Sequence, residues 1–219
     1  MFWYRDFVLA WTATSLVTMG TQMEGVVLGW FILTKTDSPF LAGAIWSARM
    51  SLNIMSLFAG AIAARIPRHK ILAAVNFMTA ALSILMLLLI LSGRSEMWHI
   101  FSIVVVAGMV QVFQMPSAQA LVADTLPEDR IANGAAFNTL GRNVAMLLGP
   151  LVGGVLFKVS GPEGAYLAVA ALYFLSGWVA IYIRSSGISQ NRPSESVFRT
   201  MVAGLKYVKS NQLLWATLL

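Results

Sequence analysis

Cysteine is absent from the 219 residues, which excludes a disulfide framework and a thiolate metal site. Histidine occurs only twice, as His69 in a basic loop and His99 at the start of an apolar segment. The two fall on opposite sides of any bundle and cannot share an ion. With no zinc-type spacing either, no metal is expected. Charge is scarce as well: Asp, Glu, Lys and Arg make up 11% of the chain, less than half of what a soluble domain carries. No phosphate-binding glycine loop, nucleophile triad or pair of catalytic carboxylates is found. These absences point away from an enzyme and from a cofactor.

What is present is apolar. The chain is 58% hydrophobic, with a mean hydropathy of +0.75. Six apolar segments can be read, at about 7–33, 40–64, 71–92, 98–123, 131–159 and 165–183. Each is near or above the ~20 residues that a helix needs to cross the hydrocarbon core. The expected fold class is therefore an all-α membrane protein, a six-helix transmembrane bundle over residues 1–184, with the lipid bilayer as its first partner. Proline, glycine and Asp-Ser signals fill the joints at 35–39, 65–68, 126–129 and 160–163. Joints this short make consecutive helices run antiparallel and side by side.

Charge orients the bundle. With the N-terminus inside, ten basic residues face the cytoplasm, Arg5, Arg65, Arg68, Lys70 and Arg130 among them, against Lys35, Arg94 and Lys158 outside. This bias predicts a multi-pass protein of the plasma (inner) membrane with a cytoplasmic N-terminus. It also accounts for the net charge of +6, so nucleic acid is not expected as a partner. Residues 185–212 are more polar and read as a cytoplasmic linker with a short amphipathic helix, lying on the membrane or against protein loops. Residues 213–219 are apolar and too few to span; they read as the start of a seventh helix.

Within the fifth segment Gly141, Ala145, Gly149 and Gly153 recur every four residues. They form a smooth stripe on which a neighbouring backbone can approach closely, the main source of packing energy between helices in lipid. Pro150 removes one helical hydrogen bond beside the Gly153-Gly154 pair, so the helix can bend there. Gly25 and Gly29 on the first segment read as close packing rather than as a dimer motif.

Ionisable residues inside spans are costly, about 2.5–3.5 kcal/mol each at a helix centre. Glu24 is the one acidic residue well inside a span, and Arg49 lies at nearly the same depth on the next helix. The pair is a candidate proton-coupling site; the alternatives are a fixed structural pair or a carboxylate wetted from the outer vestibule. Arg142 and Asn143 lie in the glycine-rich helix, Asn53 one turn beyond Arg49, and Gln111 and Gln114 three apart on the fourth segment. All five are candidates for a substrate path. Arg142 could meet an anionic group of a substrate or a carboxylate of another half, or it could only snorkel; the amides could equally be interhelical glue. Arg65, Arg68 and Lys70 stand where the second helix ends, placed to satisfy its terminal carbonyls. Asp124, Glu128 and Asp129 lie across the same face, so ion pairs there can latch the inner side.

Together these stretches resemble the N-terminal half of a major facilitator superfamily transporter. The run from Gly141 to Gly154, closing on Gly149-Pro150-x-x-Gly153-Gly154, is similar to that superfamily's antiporter signature. The loop from Gly60 through Arg65, Arg68 and Lys70 looks like its gating loop between helices two and three. Pro116-Ser117-Ala118-Gln119-Ala120-Leu121-Val122-Ala123-Asp124 and Gly204-Leu205-Lys206-Tyr207-Val208-Lys209 look like the subgroup of the enterobactin exporter and macrolide-efflux proteins. The resemblance implies a twelve-helix fold of two six-helix halves that rock about a midplane substrate site. It further implies outward transport of a small, partly apolar or siderophore-like molecule, with proton antiport. The further partners would be that substrate and the missing C-terminal half or a second copy. The chain departs from the pattern at Ala64, where an acidic residue is usual, and at Pro67, where glycine is frequent. Its fourth helix lacks the arginine that many proton antiporters carry. Two other classes stay open: the membrane domain of an ATP-driven exporter, which the tight loops disfavour, and a non-transporting membrane partner.

Overall fold

The computed structural model describes residues 4–52, 56 and 66–184. Among them all regular structure is helical: α1 (Arg5–Thr36), α2 (Pro39–Ser51), α3 (Arg68–Leu91), α4 (Met97–Gln111), α5 (Gln114–Asp124), a single 3-10 turn (Glu128–Arg130) and α6 (Ile131–Ile181). Local chemistry sets the ends. Asp37 adopts the left-handed conformation (φ 51°) and returns its N–H to the Leu33 carbonyl, closing α1. Ser38 then caps α2 by accepting from the Leu41 N–H, with Pro39 at the first helical position. Along α1 the hydroxyls of Thr14, Thr18, Thr21, Thr34 and Thr36 all donate to carbonyls four residues back. Each thereby satisfies itself inside its own helix.

Two joints differ from expectation. The fourth apolar segment is not one helix: α4 stops at Gln111 and α5 starts at Gln114. Pro116 has no N–H to offer the Val112 carbonyl and its ring crowds that group, so the chain tightens at Val112 and Phe113 before resuming. The fifth and sixth segments are not separated by a loop. They form one 51-residue run in which only Gly161 leaves helical geometry (φ 70°, ψ −175°). A straight helix of that length would reach about 76 Å, more than twice the hydrocarbon core.

Contacts along α1 show that this run doubles back. Gly134 lies by Phe7, Gly141 by Trp11, Gly149 by Met19 and Gly153 by Met23, so residues 131–160 run parallel to α1. Tyr173 then lies by Gly20 and Thr21, and Ser176 by Ala13, so residues 162–181 run antiparallel to it. At 3.6 residues per turn the two sets of α1 positions fall on opposite faces, placing α1 between the two arms. By the same sequence of contacts Pro150 sits within a helix that continues through it, at the cost of the Met146 carbonyl's usual donor.

The surface is inverted relative to a protein in water. Residues 131–160 bury only Gly134, Gly141, Ala145, Gly149 and Gly153. They expose Leu147 (75%), Leu151 (62%) and Val159 (79%). Four helical stretches, Arg5–Thr36, Arg68–Leu91, Met97–Leu121 and Ile131–Ile181, are long and apolar enough to cross a membrane. Since lipid is as apolar as leucine, what holds such helices together is close contact and buried hydrogen bonding. One such tie crosses three elements: Asn76 Nδ2 of α3 donates to Ser176 Oγ of α6 at 2.7 Å, and Ser176 donates to the Ala13 carbonyl of α1 at 2.7 Å. The second half of the expected 40–64 span, the linker at 185–212 and the stretch 213–219 lie outside the described residues.

Candidate functional site

The polar centre of the bundle is built on α1, α2, α4 and α6. Glu24 lies nineteen residues into α1, about 28 Å along its axis. It is 5% exposed and Arg49 is 9% exposed. Arg49 Nη2 lies 3.1 Å from Glu24 Oε2 and donates at 2.6 Å to Gln111 Oε1. The Arg49 guanidinium also sits 6.0 Å from the Trp46 ring centre, in cation–π range. Pairing matters here because an unpaired buried charge would carry its full desolvation cost. A cavity of about 170 Å³ opens beside the pair, lined by Thr21, Gln22, Trp46, Arg49 and Gln111.

Tyr173 completes the cluster. Its Oη lies 2.9 Å from Glu24 Oε2, 3.1 Å from Thr21 Oγ1 and 3.4 Å from Gln111 Nε2. A phenol has one hydrogen to give. With Glu24 ionised, Tyr173 donates to the carboxylate. With Glu24 protonated, the carboxyl donates to Tyr173, Tyr173 donates to Thr21, and Thr21 donates to the Val17 carbonyl at 2.9 Å. Between the two arrangements only the Glu24–Tyr173 hydrogen bond reverses, the phenol hydrogen turning to Thr21, while Thr21 donates to Val17 in both.

The break at Val112 and Phe113 sends the two glutamines of the fourth segment to different places. Gln111 joins the Glu24–Arg49 cluster, whereas Gln114 lines a second cavity of about 330 Å³ together with Thr14, Thr18, Gln119, Asn138 and Arg142. Asn143, the next residue, is exposed and lines neither cavity. Asn53, Gly60 and Arg65 lie outside the described residues.

At the end of the bundle that carries the N-terminus, Arg68 forms an ion pair with Asp124 and donates to the Ala120 carbonyl at 3.0 Å. Arg68 and Lys70 belong to the first turn of α3, not to the end of the second helix. The carbonyl that Arg68 satisfies among the described residues is on α5; the end of the second helix, its expected capping target, lies outside the described residues. Asp124 offsets a cation placed at the unfavourable end of the α3 dipole. Among the remaining motif glycines, a Cβ at Gly149 would come 2.9 Å from the Met19 carbonyl oxygen and one at Gly153 3.1 Å from that of Met23, while Gly154 faces open space. Gly25 accommodates the Trp46 ring; Gly29 meets nothing.

Sequence reasoning passed over Tyr173, Thr21 and the Asn76–Ser176 tie. For α1 a signal existed: Thr14, Thr18, Thr21 and Glu24 recur at intervals of four, three and three, a polar flank on an otherwise apolar helix. For Tyr173 none did, since a tyrosine in an apolar run looks like bulk.

Helices that turn large apolar side chains outward and keep a paired charge within define an integral membrane protein. Residues 2–219 match the family model described as transmembrane secretion effector, and the chain belongs to that family of major facilitator transporters. It is 25% identical to the uncharacterized MFS-type transporter YkuC of Bacillus subtilis, over 96% of this chain and 51% of that protein. It is 22% identical to the staphyloferrin A transporter of Staphylococcus aureus, over 75% and 42%. With the multidrug resistance protein MdtG of Salmonella typhi it shares 28% identity, over 93% and 51%. The chain spans about half the length of these curated relatives.

Proposed function

We propose that this chain is the N-terminal, six-span half of a twelve-helix secondary exporter, working by alternating access and proton antiport. The observation that carries this is the buried Glu24–Arg49 pair with Tyr173 and Gln111. A carboxylate held deep in the membrane by one arginine and one phenol can exchange a proton for an ion-pair contact as the bundle tilts. An outward direction and a small, partly apolar cargo are read from the multidrug resistance title of MdtG and from the staphyloferrin A that names the other relative. The inner-membrane location and cytoplasmic N-terminus are supported by the gathering of Arg68, Arg130 and the N-terminus at one end of the bundle. In this reading the Arg68–Asp124 pair closes that side.

The test is pH-driven transport by the intact carrier in inverted vesicles. Glu24→Gln should lower gradient-driven uptake of a labelled amphiphile at least tenfold while leaving the protein folded and inserted. Undiminished uptake rejects the coupling role. The reading also expects the reading frame to continue past codon 219 with six further apolar segments.

A further inference from the structure

The second cavity holds a cation with no carboxylate beside it among the described residues. Arg142 lies eleven residues into its arm, about 16 Å from that end. The ion pairs among the described residues are Arg49–Glu24, Arg68–Asp124 and Arg130–Asp129; Arg142 is in none of them. Its Nε is buried and has no hydrogen-bond partner among the described residues, and the same holds for Gln114 Oε1. No carboxylate lines the cavity. The hydroxyl hydrogens of Thr14 and Thr18 are already directed at carbonyls of α1. The groups left to act are therefore the guanidinium and the side-chain amides of Gln114, Gln119 and Asn138, the last positioned 3.1 Å from Thr14 Oγ1. Arg142 is half-buried, and a cation within a span with no carboxylate beside it among the described residues is costly unless something neutralises it.

We propose that this cavity is an anion subsite that takes the carboxylate of an organic acid. Arg142 supplies the charge, and the amides of Gln114, Gln119 and Asn138 hydrogen-bond the remaining oxygens. A neighbouring apolar wall of Val17, Met115 and Ala118 accommodates the carbon skeleton of the same ligand. The inference rests on the transport reading for its purpose but not for its geometry. It narrows the cargo from any amphiphile to amphiphilic acids, and it separates the cargo's charge from the Glu24 proton site by about two turns of α1, from Thr14 and Thr18 to Glu24.

The test uses the 219-residue chain in nanodiscs of zwitterionic lipid, with dansylglycine and its methyl ester as matched fluorescent probes and empty nanodiscs as the partition baseline. The acid should bind at least tenfold tighter than the ester. Arg142→Gln should abolish that preference, and Arg142→Lys should retain part of it. If Arg142→Gln does not fold, Gln114→Leu and Asn138→Leu should each reduce the preference severalfold. Equal binding of acid and ester by the wild-type chain overturns the proposal, and so does a preference that survives loss of the arginine. The first of these outcomes would assign Arg142 to a protein carboxylate instead. Because the readout is binding, it can fail while Glu24→Gln still abolishes pH-driven transport, and the reverse.

Discussion

The two arms of α6 hold the same helix in opposite ways. Residues 131–160 meet α1 through glycine and alanine, so closely that backbone faces backbone at Gly149 and Gly153. Their side-chain ties to α1, Trp11 Nε1 to the Phe137 carbonyl and Thr14 to Asn138, lie below the stripe. Residues 162–181 meet α1 through fully buried Tyr166 and Tyr173 and through hydrogen bonds from Tyr173 and Ser176. The first contact has shape but little chemistry and resists separation more than sliding. The second is fixed in register, because its donors and acceptors must stay matched where no water can replace them.

This contrast can be broken most severely at Gly149. Gly149→Leu puts a branched side chain where the Met19 carbonyl and Met23 amide already stand. The bundle should fail to assemble, seen as loss of a monodisperse species in detergent; normal assembly would mean the smooth face is not a contact. A lesser break comes from the polar cluster that the other arm joins through Tyr173. Arg49→Leu alone strands a buried carboxylate and should cost about 3–5 kcal/mol of stability, whereas Arg49→Leu combined with Glu24→Gln should recover most of that loss. Unfolding midpoints of the single and double variants decide this, and additive losses would show that the two residues do not act as a pair. Smaller still, Ser176→Ala removes the link between Asn76 and the Ala13 carbonyl and should cost about 1 kcal/mol. Gly154→Ala, which meets open space, sets the floor, with a change expected within about 0.5 kcal/mol.

Much of the helical layout was legible because its punctuation is chemical. Asp37, Ser38 and Pro39 end one helix and start the next for reasons any reader of the chain can state. The glycine stripe announces a close contact, though not the partner, since spacing alone does not choose α1 over its neighbours. The split between Gln111 and Gln114 was hidden, as Pro116 acts on a carbonyl four residues earlier and so displaces the break from its own position. The reversal at Gly161 was expected as a loop because Ser160, Gly161, Pro162 and Glu163 all favour turns. One left-handed glycine followed by a proline suffices. At the candidate site, depth matching brought Glu24 and Arg49 into view as a possible pair. Tyr173 comes from the far end of the sequence, and only tertiary packing relates its hydroxyl to residue 24.

The one-residue joint at Gly161 has a mechanical consequence. It makes α6 a stiff hairpin whose legs straddle α1, with no slack between them. A shear along the glycine leg is therefore delivered to the tyrosine leg rather than absorbed in a loop. Whatever nudges the greasy leg arrives, undamped, at the phenol that touches the carboxylate.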